Sequence, residues 1–235
     1  YGYRVGYPLN ALWGFQYEGV WKTEEEFERN KATKAYTSGN MMSDWKNNMG
    51  RSKFVDVNHD GMLDEEDVVY LGCSDPIVYG GFSNDFVIAK RLKVGIYFAY
   101  SLGGQMYNLS ELWLGTGSSS YNKYRYMLDA WTPDNPDSDI PAPYREDLYG
   151  CSRFIHDASY LRLKTVSIDY NIPLPKKAMK VLKELTVGVT GENLYLWKRY
   201  NGFDPDVNTS SAVYRLDNGS FPRPRTIIGK VSFRF

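Results

Sequence analysis

Apolar and polar residues alternate with a period of two through much of the chain, the mark of strands with one apolar and one polar face. The clearest run is 91–103. Leu92, Val94, Ile96, Phe98, Tyr100 and Leu102 share one parity, and Lys93, Gly95, Tyr97, Ala99 and Ser101 share the other. Residues 77–88 predict a preceding strand, joined to it by the tight turn Ala89-Lys90-Arg91. At the end of the chain Ile227, Gly229, Val231, Phe233 and Phe235 alternate with Ile228, Lys230, Ser232 and Arg234. Leu185, Val187 and Val189 alternate with Glu184, Thr186, Gly188 and Thr190. Segment 159–170 changes parity midway, because Leu161 and Leu163 oppose Val166, Ile168 and Tyr170. That change predicts a bulge at Lys164 or Thr165. Residues 11–19 form a weaker sixth strand.

The connections 20–76, 104–157 and 197–225 are long, whereas 89–91 is short and 171–183 moderate. Structureless loops of that length are unusual in a compact soluble domain, but outer-membrane barrels combine short periplasmic turns with long extracellular loops. The expected fold is all-β: an antiparallel transmembrane β-barrel section of about six strands, with short helices in its outer loops. Thr23 and Glu26 match a capping box ahead of Phe27. Residues 119–131 predict a helix with Tyr124, Met127 and Trp131 on one face, and 176–183 a short helical stretch.

Composition narrows the function. The 235 residues carry 28 basic and 28 acidic side chains, so no basic face for nucleic acid is expected. No run of about 18 apolar residues provides a transmembrane helix, which leaves strand crossing open. The opening residues do not form a signal peptide, so a processed chain or a piece of a longer one is expected. No nucleophile elbow, zinc motif, phosphate loop or dinucleotide fingerprint occurs. Asp134, Asp137 and Asp139 sit in Pro-rich spacing that suits turns better than a hydrolytic pair, and no enzyme activity is expected. Cys73 and Cys151 are either two free thiols or one disulfide.

One segment has metal-ligand spacing. In the twelve residues from Asp56 to Asp67, oxygen donors fall at Asp56, Asn58, Asp60 and Asp64. Met62 offers a backbone carbonyl, and Gly61 stands where the loop must turn sharply. The pattern predicts a structural calcium site of Asp56, Asn58, Asp60, Met62, Asp64 and Asp67, filled at extracellular calcium levels. Asp67 replaces the usual bidentate Glu, and no helix precedes Asp56. The alternative is an Asp-rich turn without metal.

Several motifs in order resemble a known family. They include Trp13-Gly14-Phe15-Gln16-Tyr17-Glu18-Gly19-Val20, the acidic loop, Pro76-Ile77-Val78-Tyr79-Gly80-Gly81-Phe82 and Trp131-Thr132-Pro133. They continue with Ser159-Tyr160-Leu161-Arg162-Leu163-Lys164, Gly191-Glu192-Asn193-Leu194, Gly202-Phe203-Asp204-Pro205-Asp206, Phe221-Pro222-Arg223-Pro224-Arg225 and the terminal Phe235. Together they resemble the C-terminal part of a SusC/RagA-type TonB-linked outer-membrane protein. The resemblance implies the last strands of a barrel of about 22, in the outer membrane of a Gram-negative bacterium, with the loops extracellular. It implies import of glycans or peptides, a SusD-like lipoprotein capping the mouth, and TonB acting through an N-terminal plug that this sequence lacks. Phe235 matches the terminal aromatic that marks barrels for assembly, and also suits lipid-facing packing. Trp113, Tyr121 and Tyr124 are candidate substrate contacts, since exposed aromatic rings stack on sugars; packing between loops is the alternative, favoured for Trp131. Arg153, Arg162 and Lys164 are expected on a lumenal or solvated face. The rival to the whole reading is a soluble secreted β-sandwich that binds carbohydrate and is stabilised by calcium.

Overall fold

The computed structural model describes residues 3–29, 34–37, 40–41, 48–117, 120–143, 150–176, 178–207 and 215–235. Its strands are β1 (Ala11–Gly14), β2 (Tyr17–Val20), β3 (Lys34–Thr37), β4 (Asn40–Met41), β5 (Ser52–Phe54), β6 (Met62–Leu63), β7 (Val69–Cys73) and β8 (Val78–Ile88). They continue as β9 (Leu92–Leu102), β10 (Gln105–Asn108), β11 (Ile155–Asp157), β12 (Tyr160–Ile172), β13 (Glu184–Lys198), β14 (Leu216–Asp217) and β15 (Thr226–Arg234). Helices are short: α1 (Glu24–Arg29) and α2 (Leu109–Leu114). The chain divides into a sheet unit (Pro76–Gly104, Asp157–Asp206, Phe221–Phe235) and a loop unit (Tyr1–Asp75, Gln105–His156, Val207–Ser220).

The sheet unit is one antiparallel sheet in the order β15-β13-β12-β9-β8. β8 and β9 meet through the expected tight turn. Ala89 and Lys90 both adopt positive φ (50° and 61°), and the Arg91 amide donates to the Ile88 carbonyl at 3.1 Å. Two consecutive left-handed residues match the strand twist that favours such hairpins. β12 shifts register between Leu163 and Thr165 against both neighbours, which is the bulge its parity change predicts.

Residues 11–19 do not join this sheet. They split into β1, paired with β7, and β2, paired with β5, so five long strands rather than six form the sheet among the described residues. The cause lies at the break between them. The Phe15 amide donates to the Gly150 carbonyl (3.1 Å) and the Ser152 amide to the Phe15 carbonyl (3.0 Å). A side chain at Gly14 would strike the Gly150 carbonyl.

The loop unit has its own core, assembled from residues far apart in sequence. Phe54, Leu63, Leu112, Cys151 and Phe154 are buried together, and Val20, Trp131 and Ala142 form a second cluster. Leu63 thereby serves as the apolar anchor beneath the acidic loop. Half of the capping box forms: Thr23 Oγ1 accepts from the Glu26 amide (3.2 Å), while the Glu26 carboxylate pairs with Lys53 (2.9 Å) instead of closing the box. The helix expected over 119–131 reduces to a 3-10 segment at Arg125–Asp129, and Ser119 lies outside the described residues. The regular helix is α2, upstream, where the Asn108 side chain caps the Glu111 amide at 2.9 Å. The 176–183 stretch likewise reduces to a 3-10 turn at Ala178–Lys180. Cys73 and Cys151 are not joined in a disulfide, and burial raises the pKa of Cys73.

Candidate functional site

Register makes the sheet two-faced. Leu92, Val94 and Ile96 stand beside Tyr170, Ile168 and Val166. These stand beside Val187, Val189 and Gly191, and those beside Val231, Gly229 and Ile227. The apolar rows are not covered: Ile168 is 42% exposed, Val189 44% and Val231 59%. On the opposite face Lys93, Asp169, Gly188 and Lys230 form one cross-strand row. A side chain at Gly188 would collide with the Asp169 carboxylate. Its absence lets Asp169 reach across β13 to the Lys230 ammonium at 2.8 Å. A strand of eleven residues such as β9 is the length that crosses a bilayer core when tilted about 45°. No helix among the described residues is long and apolar enough to cross a membrane.

Three of the sequence motifs converge at one end of this sheet. Arg162 is not on a solvated face: it is buried and donates to Asp204 Oδ1 at 2.6 Å. Asp204 is equally buried and accepts from the backbone amides of Asp206 (3.0 Å) and Arg223 (3.2 Å). The Arg223 guanidinium in turn pairs with Asp206 at 3.0 Å. One carboxylate therefore ties β12, the Gly202–Asp206 motif and the Phe221–Arg225 motif together. Lys164 rests its ammonium 5.7 Å from the Tyr97 ring centroid. In the loop unit Arg153 donates to the Gly115 carbonyl and lies over the rings of Tyr17 and Phe154.

The acidic loop folds as a chain of side-chain-to-backbone turns. Asp56 accepts from the amides of His59 (2.8 Å) and Gly61 (2.9 Å). Asn58 accepts from Asp60, Asp60 from Met62, and Asp64 from Glu66. Asp67 is fully buried and accepts from Val57 (2.8 Å) and Asp64 (2.9 Å), closing the two ends of the loop. Gly61 takes φ +86° at the sharp turn. A carboxylate offers about four acceptor positions, so these bonds leave acceptor capacity on Asp56 and Asp67. In this arrangement no three His, Cys, Asp or Glu side chains among the described residues gather as a metal-holding group.

Of the candidate aromatic contacts, Tyr121 and Tyr124 come together. They line an open depression of about 590 Å³ with Lys123, Arg125, Met127 and Leu128. Burial, reinforced by the charges of Glu111 and Asp217, raises the pKa of Tyr124, and burial lowers that of Lys123. Trp113 is outside this lining, on α2, where its carbonyl accepts from the Lys123 ammonium (2.8 Å). Trp131 is 7% exposed and packs in the second core cluster, so its role is structural.

No family model matches the chain. It is 32% identical, over 95% of its length, to TonB-dependent receptor P26 of Formosa agariphila, and spans 22% of that protein. It is 24% identical, over 77% of its length, to TonB-dependent receptor SusC of Bacteroides thetaiotaomicron, and spans 17% of it. The fold over 97% of the chain matches 23% of a chain in the RagAB peptide transporter, with a TM-score of 0.75 at 21% identity. With the two-faced sheet and the motif order agreeing, the chain belongs to the SusC/RagA-type TonB-dependent receptors, as a section of their all-β barrel.

Proposed function

We propose that this chain is the barrel section of an outer-membrane nutrient importer of a Gram-negative bacterium. In this reading it takes an oligosaccharide or peptide delivered by a SusD-like lipoprotein and draws on TonB through a plug domain outside these 235 residues. The observation that carries the reading is the uncovered apolar face of the five-stranded sheet. A soluble β-sandwich module would cover that face with a second sheet; a barrel turns it to lipid and the Lys93–Asp169–Lys230 row to the lumen. The long connections then lie outside the cell, where Tyr121 and Tyr124 meet substrate. Single cysteines introduced at Val94, Ile168 and Val189 in the full receptor, in native outer membranes, are expected to react with a lipid-soluble maleimide and resist a charged one. Cysteines at Lys93 and Lys230 are expected to show the reverse. Equal reaction of both sets with the charged reagent overturns the barrel reading in favour of the soluble module.

The acidic loop is proposed to hold structural calcium through Asp56, Asn58, Asp60, the Met62 carbonyl, Asp64 and Asp67. The support is its donor chemistry, all hard oxygen, and the acceptor capacity that Asp56 and Asp67 retain. Calcium binding to the native form alone raises the melting temperature by mass action. Millimolar calcium is expected to protect the loop unit from proteolysis and raise its melting temperature over that in chelator. Asp60→Ala, at an exposed position, should remove the effect. Identical behaviour in calcium and chelator means a hydrogen-bonded turn and no metal.

A further inference from the structure

The depression that carries Tyr121 and Tyr124 is cationic as well as aromatic. Lys123 and Arg125 line it with Met127 and Leu128, and among the described residues no carboxylate does. Arg125 is exposed, and its guanidinium has no hydrogen-bond or ion-pair partner among the described residues. The carboxylates that act on the Tyr124 hydroxyl, Glu111 and Asp217, are engaged elsewhere. Glu111 meets His156 Nε2 at 2.5 Å, and Asp217 accepts from the Ser220 amide at 3.1 Å. The wall is also held in place. The Tyr124 amide donates to the Leu114 carbonyl (2.9 Å) and the Lys123 ammonium to the Trp113 carbonyl (2.8 Å), which anchors this segment to α2. A wall fixed before binding has little ordering entropy left to lose.

This chemistry discriminates among substrates. A guanidinium matches a carboxylate with two parallel hydrogen bonds, and an aromatic ring packs against the apolar face of a sugar. Tyr121, 62% exposed, offers such a ring. A neutral sugar would gain nothing from Arg125. A peptide held by backbone pairing needs an exposed strand edge, and none of the lining residues lies in a strand. The sheet unit has the same bias on its polar face. There a depression of about 340 Å³ is lined by Lys90, Arg91, Lys93 and Lys230, and its two carboxylates are taken, Asp169 by Lys230 and Glu184 by Asn171. The side chains of Lys90, Arg91 and Lys93 have no partner among the described residues. A passage lined by one sign of charge concentrates ligands of the opposite sign.

Resting on the importer reading above, we infer that the substrate is an acidic oligosaccharide, with Arg125 binding a uronate carboxylate and Tyr121 and Tyr124 packing against its sugar rings. Lys123 adds to the positive field of the same wall. In that reading Lys90, Arg91 and Lys93 face the lumen that the anionic chain must cross.

The test is calorimetric binding to the full receptor in detergent. The probes are tetrasaccharides of alginate and of galacturonan, their carboxyl-reduced neutral counterparts, and tetraglutamate. At least one uronate tetrasaccharide is expected to bind about tenfold more tightly than its neutral counterpart and than tetraglutamate. Arg125→Ala should weaken that binding about fivefold and leave the neutral counterpart unchanged. Tyr121→Ala should weaken both sugars. Arg125 is exposed, so its variant should fold. No binding by either uronate, equal binding within both charged and neutral pairs, or unchanged affinity in Arg125→Ala overturns the inference. Tetraglutamate binding as tightly as the uronates assigns the site to acidic peptides and overturns it as well. The cysteine-labelling pattern, repeated on Arg125→Ala, reports separately whether the barrel reading itself holds.

Discussion

Replacing Asp204 by Ala is expected to destabilise the sheet unit by about 3–5 kcal/mol. The change leaves the Arg162 guanidinium, whose side chain is 4% exposed, with the more distant Asp206 carboxylate at 3.9 Å in place of its close partner. It also removes the acceptor of the part-buried amides of Asp206 and Arg223, which water can satisfy in part. Part of that loss is recovered as the Gly202–Asp206 segment relaxes toward solvent. Arg162→Met alone leaves a buried anion, though one still solvated by two amides, and is expected to cost less. The two changes should not add: once Asp204 is gone, removing Arg162 eliminates the stranded charge and restores stability. Thermal unfolding of the four proteins of this cycle, in the full receptor, measures the coupling. Additive losses would mean that the 2.6 Å pair is incidental and the motifs are held by packing.

That pair also shows where sequence reading stops. Arg162 and Asp204 are 42 residues apart, and nothing in alternation or spacing reports that one lies on the other. Arg162 read as one more polar position of a strand, whereas the Asp-Pro-Asp turn that receives it read as a loop. The regular part was legible, because a strand with one face in lipid must alternate, and a bulge must break parity where 159–170 breaks it. Segment 11–19 alternates for a different reason. Its pairing with β7 and β5 buries Ala11, Leu12 and Val20 in the loop unit. Periodicity reports a half-buried strand but not which sheet receives it. Helix signals failed similarly in 119–131, where apolar spacing suggested a face but Trp131 instead joins Val20 and Ala142 in a core cluster. The acidic loop was the most legible irregular element, since Asp, Asn and Gly at alternating positions dictate the local turns by themselves.

Gly50→Ala should destabilise the loop unit by about 2–5 kcal/mol, from two costs that a sequence scan does not reveal. Gly50 adopts φ +70°, a left-handed conformation that a Cβ disfavours by about 1–2 kcal/mol. The added methyl would also meet Trp131 Cε3 at 2.5 Å and the Ala142 Cβ at 2.9 Å, so the indole must move. Overpacking of this kind typically costs about 1–3 kcal/mol. The backbone cannot yield easily, because the Gly50 amide donates to the Trp21 carbonyl (2.9 Å) and its carbonyl accepts from the Ala142 amide (2.7 Å). Steric crowding and backbone strain are separable. In a Trp131→Leu background Gly50→Ala should cost only the conformational part, while Trp131→Leu alone costs the packing of the indole. Hydrogen exchange of the Trp21, Gly50 and Ala142 amides in the full receptor follows the local opening. Gly50→Ala should accelerate all three while leaving β9 and β12 in the sheet unit protected. Unchanged exchange in Gly50→Ala would mean that the Trp131 cluster does not hold the loop unit together. It would leave the Phe54–Phe154 core as the remaining core cluster, among the described residues, that organises the long connections.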